Sequence, residues 1–134
     1  MRKRFWLVFW ILGILFPMAF LGRLWPGFGR VFYRVFAQDW SHVLMHTFLY
    51  AVLGFLLTGW IKPVSRRSIL ILYGIVFIVG CIQEGLQIWS AGAWPGWPAE
   101  ILDLGVDIGG LTIALLGIWL FSSYTGKNKG LARN

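Results

Sequence analysis

The chain has 134 residues, of which 58% are hydrophobic and 13% are charged, a balance far from that of soluble proteins. Its formal net charge is +7, but the cationic residues flank apolar segments, where membrane topology and anionic lipids account for them. The composition therefore excludes a nucleic-acid-binding protein and predicts an all-α integral membrane protein.

Four apolar segments follow one another along the chain, covering residues 5–22, 40–61, 69–90 and 101–122. Each approaches the roughly twenty residues that a helix needs to cross the hydrocarbon of a bilayer. Pro17 lies in the first segment and is expected to bend or end that helix near its outer end. The connecting stretches are too short for a second domain, so the sequence predicts one domain over 1–134, a polytopic bundle of four transmembrane helices.

The first segment also has features of a secretory signal, since Arg2, Lys3 and Arg4 precede an apolar run. The run is longer than a usual signal core, and no small-residue cleavage site follows it. A retained transmembrane span is therefore the favoured interpretation.

The positions of the cationic residues predict an orientation, because Lys and Arg are retained on the cytoplasmic side of a membrane. Nine of the twelve lie at the start of the chain, in the 62–67 turn and in the 127–133 tail. The sequence therefore predicts an N-in/C-in protein of the plasma (inner) membrane, with both termini cytoplasmic. The segments 23–39 and 91–100 then face the outside.

The first outer segment contains Arg30 and Arg34, one helical turn apart among Phe and Val residues. This pattern predicts a short helix at the membrane interface. Two roles remain open for it. It either anchors the chain to headgroups, or places one of these arginines over the acidic residues as a counter-ion.

All five carboxylates and both histidines lie near the predicted outer face. With a rise of about 1.5 Å per residue, His46, Glu84 and Asp107 reach the same depth, roughly 9 Å below the ends of their segments. Charged groups facing lipid cost about 2.5–3.5 kcal/mol each, so we expect them to face one another. The predicted outward-facing pocket, with Glu100 at its rim, comprises Asp39, His42, His46, Glu84, Gln87, Asp103 and Asp107.

Residue spacing agrees with one inward face on each helix. His42, His46 and Tyr50 recur at i, i+4 and i+8, which places them on one side of a helix. Gly105 and Gly109 form a small-xxx-small pattern, which predicts that the fourth helix approaches a neighbour closely at this depth.

The order of these residues resembles that of the VanZ-like membrane proteins. Three motifs carry the resemblance over about residues 39–118: His46 to Gly54 as H-xxx-Y-xx-L-G, Glu84 and Gln87 as E-xx-Q, and Asp103, Asp107 and Gly110 as D-xxx-N-xx-G. His42 and Asp107 stand where that family has Asp and Asn, and the family's loop Arg before Asp103 is missing. The resemblance implies a cell-envelope protein linked to lowered sensitivity to glycopeptide antibiotics such as teicoplanin.

The sequence leaves three hypotheses open for the pocket. One is that the pocket binds an envelope ligand or moves it across the membrane. Membrane lipids surround the protein in either case. Another is that its polar groups join helices in a small accessory subunit of a larger membrane complex.

The third hypothesis is a divalent metal site, since His42, His46, Glu84 and Asp107 offer the nitrogen and oxygen ligands that suit Zn or Mn. A metal-bound water, with Glu84 or Asp103 as general base, would hydrolyse a lipid-phosphate headgroup. The sequence does not decide whether any reaction is catalysed. Cys81 is the single cysteine, so no intrachain disulfide forms.

Overall fold

The computed structural model describes residues 2–35, 38–92, 94 and 96–131. All the regular structure in these ranges is helical, and no strand occurs within them. The helices are α1 (Arg2–Leu15), α2 (Met18–Leu24), α3 (Pro26–Val35), α4 (Asp39–Thr58), α5 (Arg66–Ala91) and α6 (Trp97–Leu131).

Three of the helices are long and apolar enough to cross a membrane. The qualifying stretches are Trp40–Thr58, Arg66–Ser90 and Trp97–Thr125, with 19, 25 and 29 residues. At about 1.5 Å per residue the shortest of them covers roughly 28 Å. The prediction of an all-helical protein with transmembrane helices is confirmed at this level.

The first apolar segment is divided in the structure, where the sequence predicts one span over 5–22. Helix α1 ends at Leu15 and α2 begins at Met18, with Pro17 between them. Proline has no backbone N–H to donate to the preceding turn, so α1 ends just before Pro17, the residue at which the sequence predicts a bend or an end. With 14 residues, α1 is roughly 21 Å long, which is shorter than the hydrocarbon core.

Helix α3 is the short amphipathic helix predicted around Arg30 and Arg34. It starts at Pro26, a residue suited to the first helical position. It folds back on α2 at a glycine contact, because a Cβ on Gly29 would collide with the backbone carbonyl of Gly22. The α2–α3 pair therefore forms a tight hairpin beside the longer helices.

Helices α4 and α6 run parallel, and α5 runs antiparallel to both. A Cβ on Gly110 would lie 2.6 Å from the carbonyl oxygen of Thr47, and one on Gly54 would lie 2.8 Å from a methyl of Leu111. Tyr73 of α5 bonds to Thr112 through their hydroxyls, 2.9 Å apart. The parallel pair is close enough that these two positions accept only glycine without a shift of neighbours.

The predicted close approach at Gly105 and Gly109 is not where the helices meet. A Cβ added at either residue would meet nothing within 4 Å, outside the helix's own backbone. Gly110, the next residue after Gly109, is the one against α4. A shift of one residue turns a helix by about 100°, so the small-xxx-small pattern identified the right helix and the wrong face.

A narrow apolar core lies below the polar residues, toward the α4–α5 turn. Tyr50, Leu53, Leu72, Val76 and Leu111 are buried there. Many outward side chains of the long helices are large, apolar and exposed, as expected of helices that face lipid.

A buried histidine–carboxylate cluster

The centre of the candidate site is a contact between α4 and α6. His46 Nδ1 lies 2.8 Å from Asp107 Oδ1, and both side chains are buried, Asp107 completely. The parallel register of the two helices puts these residues at one level, because Gly110 lets α6 approach the backbone of α4 one turn further on.

Two more groups approach the other imidazole nitrogen of His46. His42 Nε2 lies 2.9 Å from His46 Nε2, and Gln83 Nε2 lies 3.4 Å from it. The Tyr50 hydroxyl donates to Gln83 Oε1 at 2.8 Å, which turns the amide nitrogen of Gln83 toward His46.

These bonds favour one tautomer of His46. An amide N–H only donates, so His46 Nε2 accepts from Gln83 and its proton sits on Nδ1. His46 Nδ1 then donates to Asp107 Oδ1. A chain of donors runs from Tyr50 through Gln83 and His46 to the Asp107 carboxylate.

Two carboxyl oxygens in the cluster are buried without a partner. They are Glu84 Oε1 and Asp107 Oδ2, and within the described part of the chain neither has a hydrogen bond. Glu84 is 6% exposed and Asp107 is 0% exposed. Because a buried acceptor without a partner is unfavourable, these atoms mark a place where a donor or a cation would be stabilised.

The ligand-bearing atoms form two overlapping groups, each within 4.8 Å. One consists of His42, His46 and Asp103, and the other of His46, Glu84 and Asp107. His46 belongs to both. The cluster therefore gathers imidazole and carboxylate groups from three helices around one histidine.

A cavity of about 550 Å³ opens beside the histidines. Its polar walls are His42, His46, Gln83 and Gln87, which all lie on α4 or α5. Its other walls are mostly apolar and come from the α1–α2 break, α3, α4 and α5: Gly13, Ile14, Leu15, Phe16, Pro17, Met18, Phe28, Phe32, Met45, Leu49 and Leu86. The break at Pro17 thus forms part of the cavity wall.

Most of the predicted pocket residues come together. His42, His46, Glu84, Asp103 and Asp107 form the cluster. Gln87 lies on the cavity wall. Glu100, placed at the rim, is buried in the first turn of α6. Asp39 begins α4, but its side chain lies outside the described part of the structure.

The arginines of α3 are not counter-ions of this cluster. Both Arg30 and Arg34 are exposed. Among the described side chains, neither forms an ion pair with a carboxyl group of the cluster. The anchoring role is the alternative that fits their positions.

Gln83 is the residue of the site that the sequence does not single out. From the sequence, Gln83 is expected only to pack or to support other residues, because the E-xx-Q motif is formed by Glu84 and Gln87. Gln83 is nevertheless buried and contacts both Tyr50 and His46. Its spacing of four from Gln87 is the signal that could have placed both on the cavity side of α5.

No protein-family model matches the chain, and neither a curated protein nor a solved structure shows significant similarity to it. The VanZ-like resemblance therefore stays a prediction from the motifs.

Proposed function

We propose that this protein is a VanZ-like membrane protein of the cell envelope that binds an amphiphilic ligand in its cavity. The hydrocarbon part of the ligand lies against the α1–α2 break and α3. Its polar head meets His42, His46, Gln83 and Gln87. The observation that carries the proposal is the cavity itself, apolar on most sides and polar at one end.

The size and lining of the cavity support binding over a purely structural role. A volume of about 550 Å³ lies within the range typical of small-molecule sites. Polar groups that only join helices need no open space beside them. Here His42, His46, Gln83 and Gln87 all border the space as well as contacting their neighbours.

The proposed orientation is N-in and C-in, with α1 and α2 together making a fourth, interrupted crossing. The Arg4 guanidinium lies 5.2 Å from the ring centre of Trp60, so the start of α1 is at the same end as the α4–α5 turn. Lys62, Arg66 and Arg67 are at that end too. The cluster then lies in the outer half of the membrane, within reach of envelope lipids and of glycopeptides acting outside the cell.

Photolabelling tests the binding proposal directly. The purified protein is placed in lipid nanodiscs with a diazirine-bearing polyprenyl phosphate or a diazirine-bearing phospholipid. Met45→Trp fills the cavity, which Met45 lines at 39% exposure, whereas Leu44→Trp adds the same bulk at a 61% exposed site outside it. We expect labelling of Leu49- and Leu86-containing peptides in the wild type and in Leu44→Trp, and a several-fold loss in Met45→Trp.

Equal labelling of the two variants would contradict the proposal, because the probe would then be reporting bulk lipid. In cells, the link to glycopeptide tolerance predicts that expression of the wild type and Leu44→Trp raises the inhibitory concentration of teicoplanin. Expression of Met45→Trp should leave it unchanged.

A further inference from the structure

We infer that the cluster is a binding site for one divalent transition-metal ion, held by His46 of α4, Glu84 of α5 and Asp107 of α6. This inference is independent of the ligand proposed for the cavity. It rests on the donor set, the unpartnered oxygens and the balance of charge.

The donor atoms come from three helices and are already close together. One atom from each of His46, Glu84 and Asp107 lies within 4.8 Å of the others, and all three residues are buried. His42, whose Nε2 is 2.9 Å from that of His46, belongs to the other group of ligand atoms and borders the cavity. One imidazole with two carboxylates forms a nitrogen and oxygen set that suits Zn²⁺, Mn²⁺ or Fe²⁺ and is unsuited to soft, thiolate-preferring ions.

The unpartnered oxygens point to an occupant independently of the clustering. Glu84 Oε1 and Asp107 Oδ2 are buried with no hydrogen bond in the described structure. The Tyr50 hydroxyl donates its single proton to Gln83 Oε1 at 2.8 Å. A cation bound by these oxygens would satisfy both of them.

The charge balance favours a divalent ion over a monovalent one. The carboxyl groups of Glu84 and Asp107 each have an oxygen within 4.8 Å of the other, so ionising both in a low-dielectric interior costs free energy unless a cation lies between them. A divalent ion neutralises both carboxylates, while the imidazole of His46 binds in its neutral form. His46 Nδ1 faces Asp107 Oδ1 at 2.8 Å, so an ion bound by both residues takes the place of the proton on Nδ1.

Metal content and metal titration test the inference. The protein is purified through an affinity tag without histidines, and its metals are measured by mass spectrometry. A chelator-treated sample is then titrated with Co²⁺, Zn²⁺ and Mn²⁺ in detergent depleted of lipid. We expect close to one ion per chain as isolated, and visible ligand-field bands with Co²⁺.

The matched variants are Glu84→Gln and Glu100→Gln. Both carboxyls are buried, but Glu100 belongs to neither group of ligand atoms. We expect Glu84→Gln and His46→Ala to weaken metal binding by roughly a hundredfold or more, and Glu100→Gln to leave it unchanged. Circular dichroism checks that each variant keeps its helices, and the near-isosteric Glu84→Gln remains informative if His46→Ala does not fold.

Absence of bound metal from the wild type in both measurements would overturn the inference, as would equal affinities in the wild type, His46→Ala and Glu84→Gln. The photolabelling of the cavity is carried out with the metal removed. Failure of the metal site is thereby distinguishable from failure of ligand binding.

Discussion

At the scale of single residues, Asp107 is the group whose burial most needs compensation. It is completely buried, and its Oδ1 pairs with the imidazole of His46, whereas no hydrogen bond to its Oδ2 occurs among the described residues. The VanZ-like proteins, which the chain resembles, have an asparagine at this position. An amide keeps the acceptor oxygen for His46 and removes the negative charge, so hydrogen bonding and metal binding can be separated at this residue.

Asp107→Asn should fold with a stability close to that of the wild type, or slightly above it, and should lose the metal ion. Asp107→Ala should be less stable by about 1–3 kcal/mol, because it leaves the buried Nδ1–H of His46 without an acceptor. Unfolding in mixed detergent micelles, together with metal analysis, checks both outcomes. Equal destabilisation by the two substitutions would mean that the charge, and not the hydrogen bond to His46, holds the helices here.

The sequence predicts the depth of the cluster residues in the membrane better than it predicts which way each of them points from its helix. Depth is simple to predict, since helical rise alone places His46, Glu84 and Asp107 at one level. The direction in which each side chain points is harder to predict from the sequence. Gln83 and Gln87 both lie near Glu84 in the sequence, and only the packing of the helices shows that Gln83 reaches His46.

At the scale of the helices, the contact of α4 with α6 positions the cluster. A Cβ added to Gly110 would lie 2.6 Å from the carbonyl oxygen of Thr47, whereas one added to the adjacent Gly109 would point into open space. Alanine substitutions at Gly110 and Gly109 therefore form a matched pair, because each adds one methyl group to a different face of α6.

Gly110→Ala should destabilise the protein by about 1–3 kcal/mol, because the added methyl group pushes α6 away from backbone that cannot rotate aside. Gly109→Ala should be neutral or stabilising by up to about 1 kcal/mol, since alanine is the better helix former. Thermal or detergent unfolding of the two variants measures the difference. If Gly109→Ala were the more damaging change, α4 would not pack on α6 in this register.

The same helices show why some boundaries follow from the sequence and others do not. Helices α4, α5 and α6 overlap the predicted segments because each is a long apolar run without a proline inside the predicted segment. The first segment has the same composition, but Pro17 ends α1 at Leu15. Composition predicts that such a segment is in the membrane, whereas one missing hydrogen-bond donor decides whether it is a single helix.

At the scale of the whole molecule, the cations of the α4–α5 turn and the histidine–carboxylate cluster lie toward opposite ends of the helices. Helices α4 and α6 are parallel, so the α4–α5 turn with its cations and the last turns of α6 lie toward one end. The histidine–carboxylate cluster lies toward the opposite end. This separation supports the proposed placing of the cluster in the outer half of the membrane.

Labelling of single cysteines from each side of the membrane tests this orientation. Cys81 is exposed on α5 and is first replaced by serine, so that Val64→Cys or Trp94→Cys provides the single thiol. Both sites are exposed, Val64 in the α4–α5 turn and Trp94 between α5 and α6. A membrane-impermeant maleimide should label Trp94→Cys in intact cells and Val64→Cys only after the membrane is permeabilised, because the cations beside Val64 are held on the cytoplasmic side. The opposite pattern would put the cluster in the inner half of the membrane, where glycopeptides acting outside the cell do not reach it.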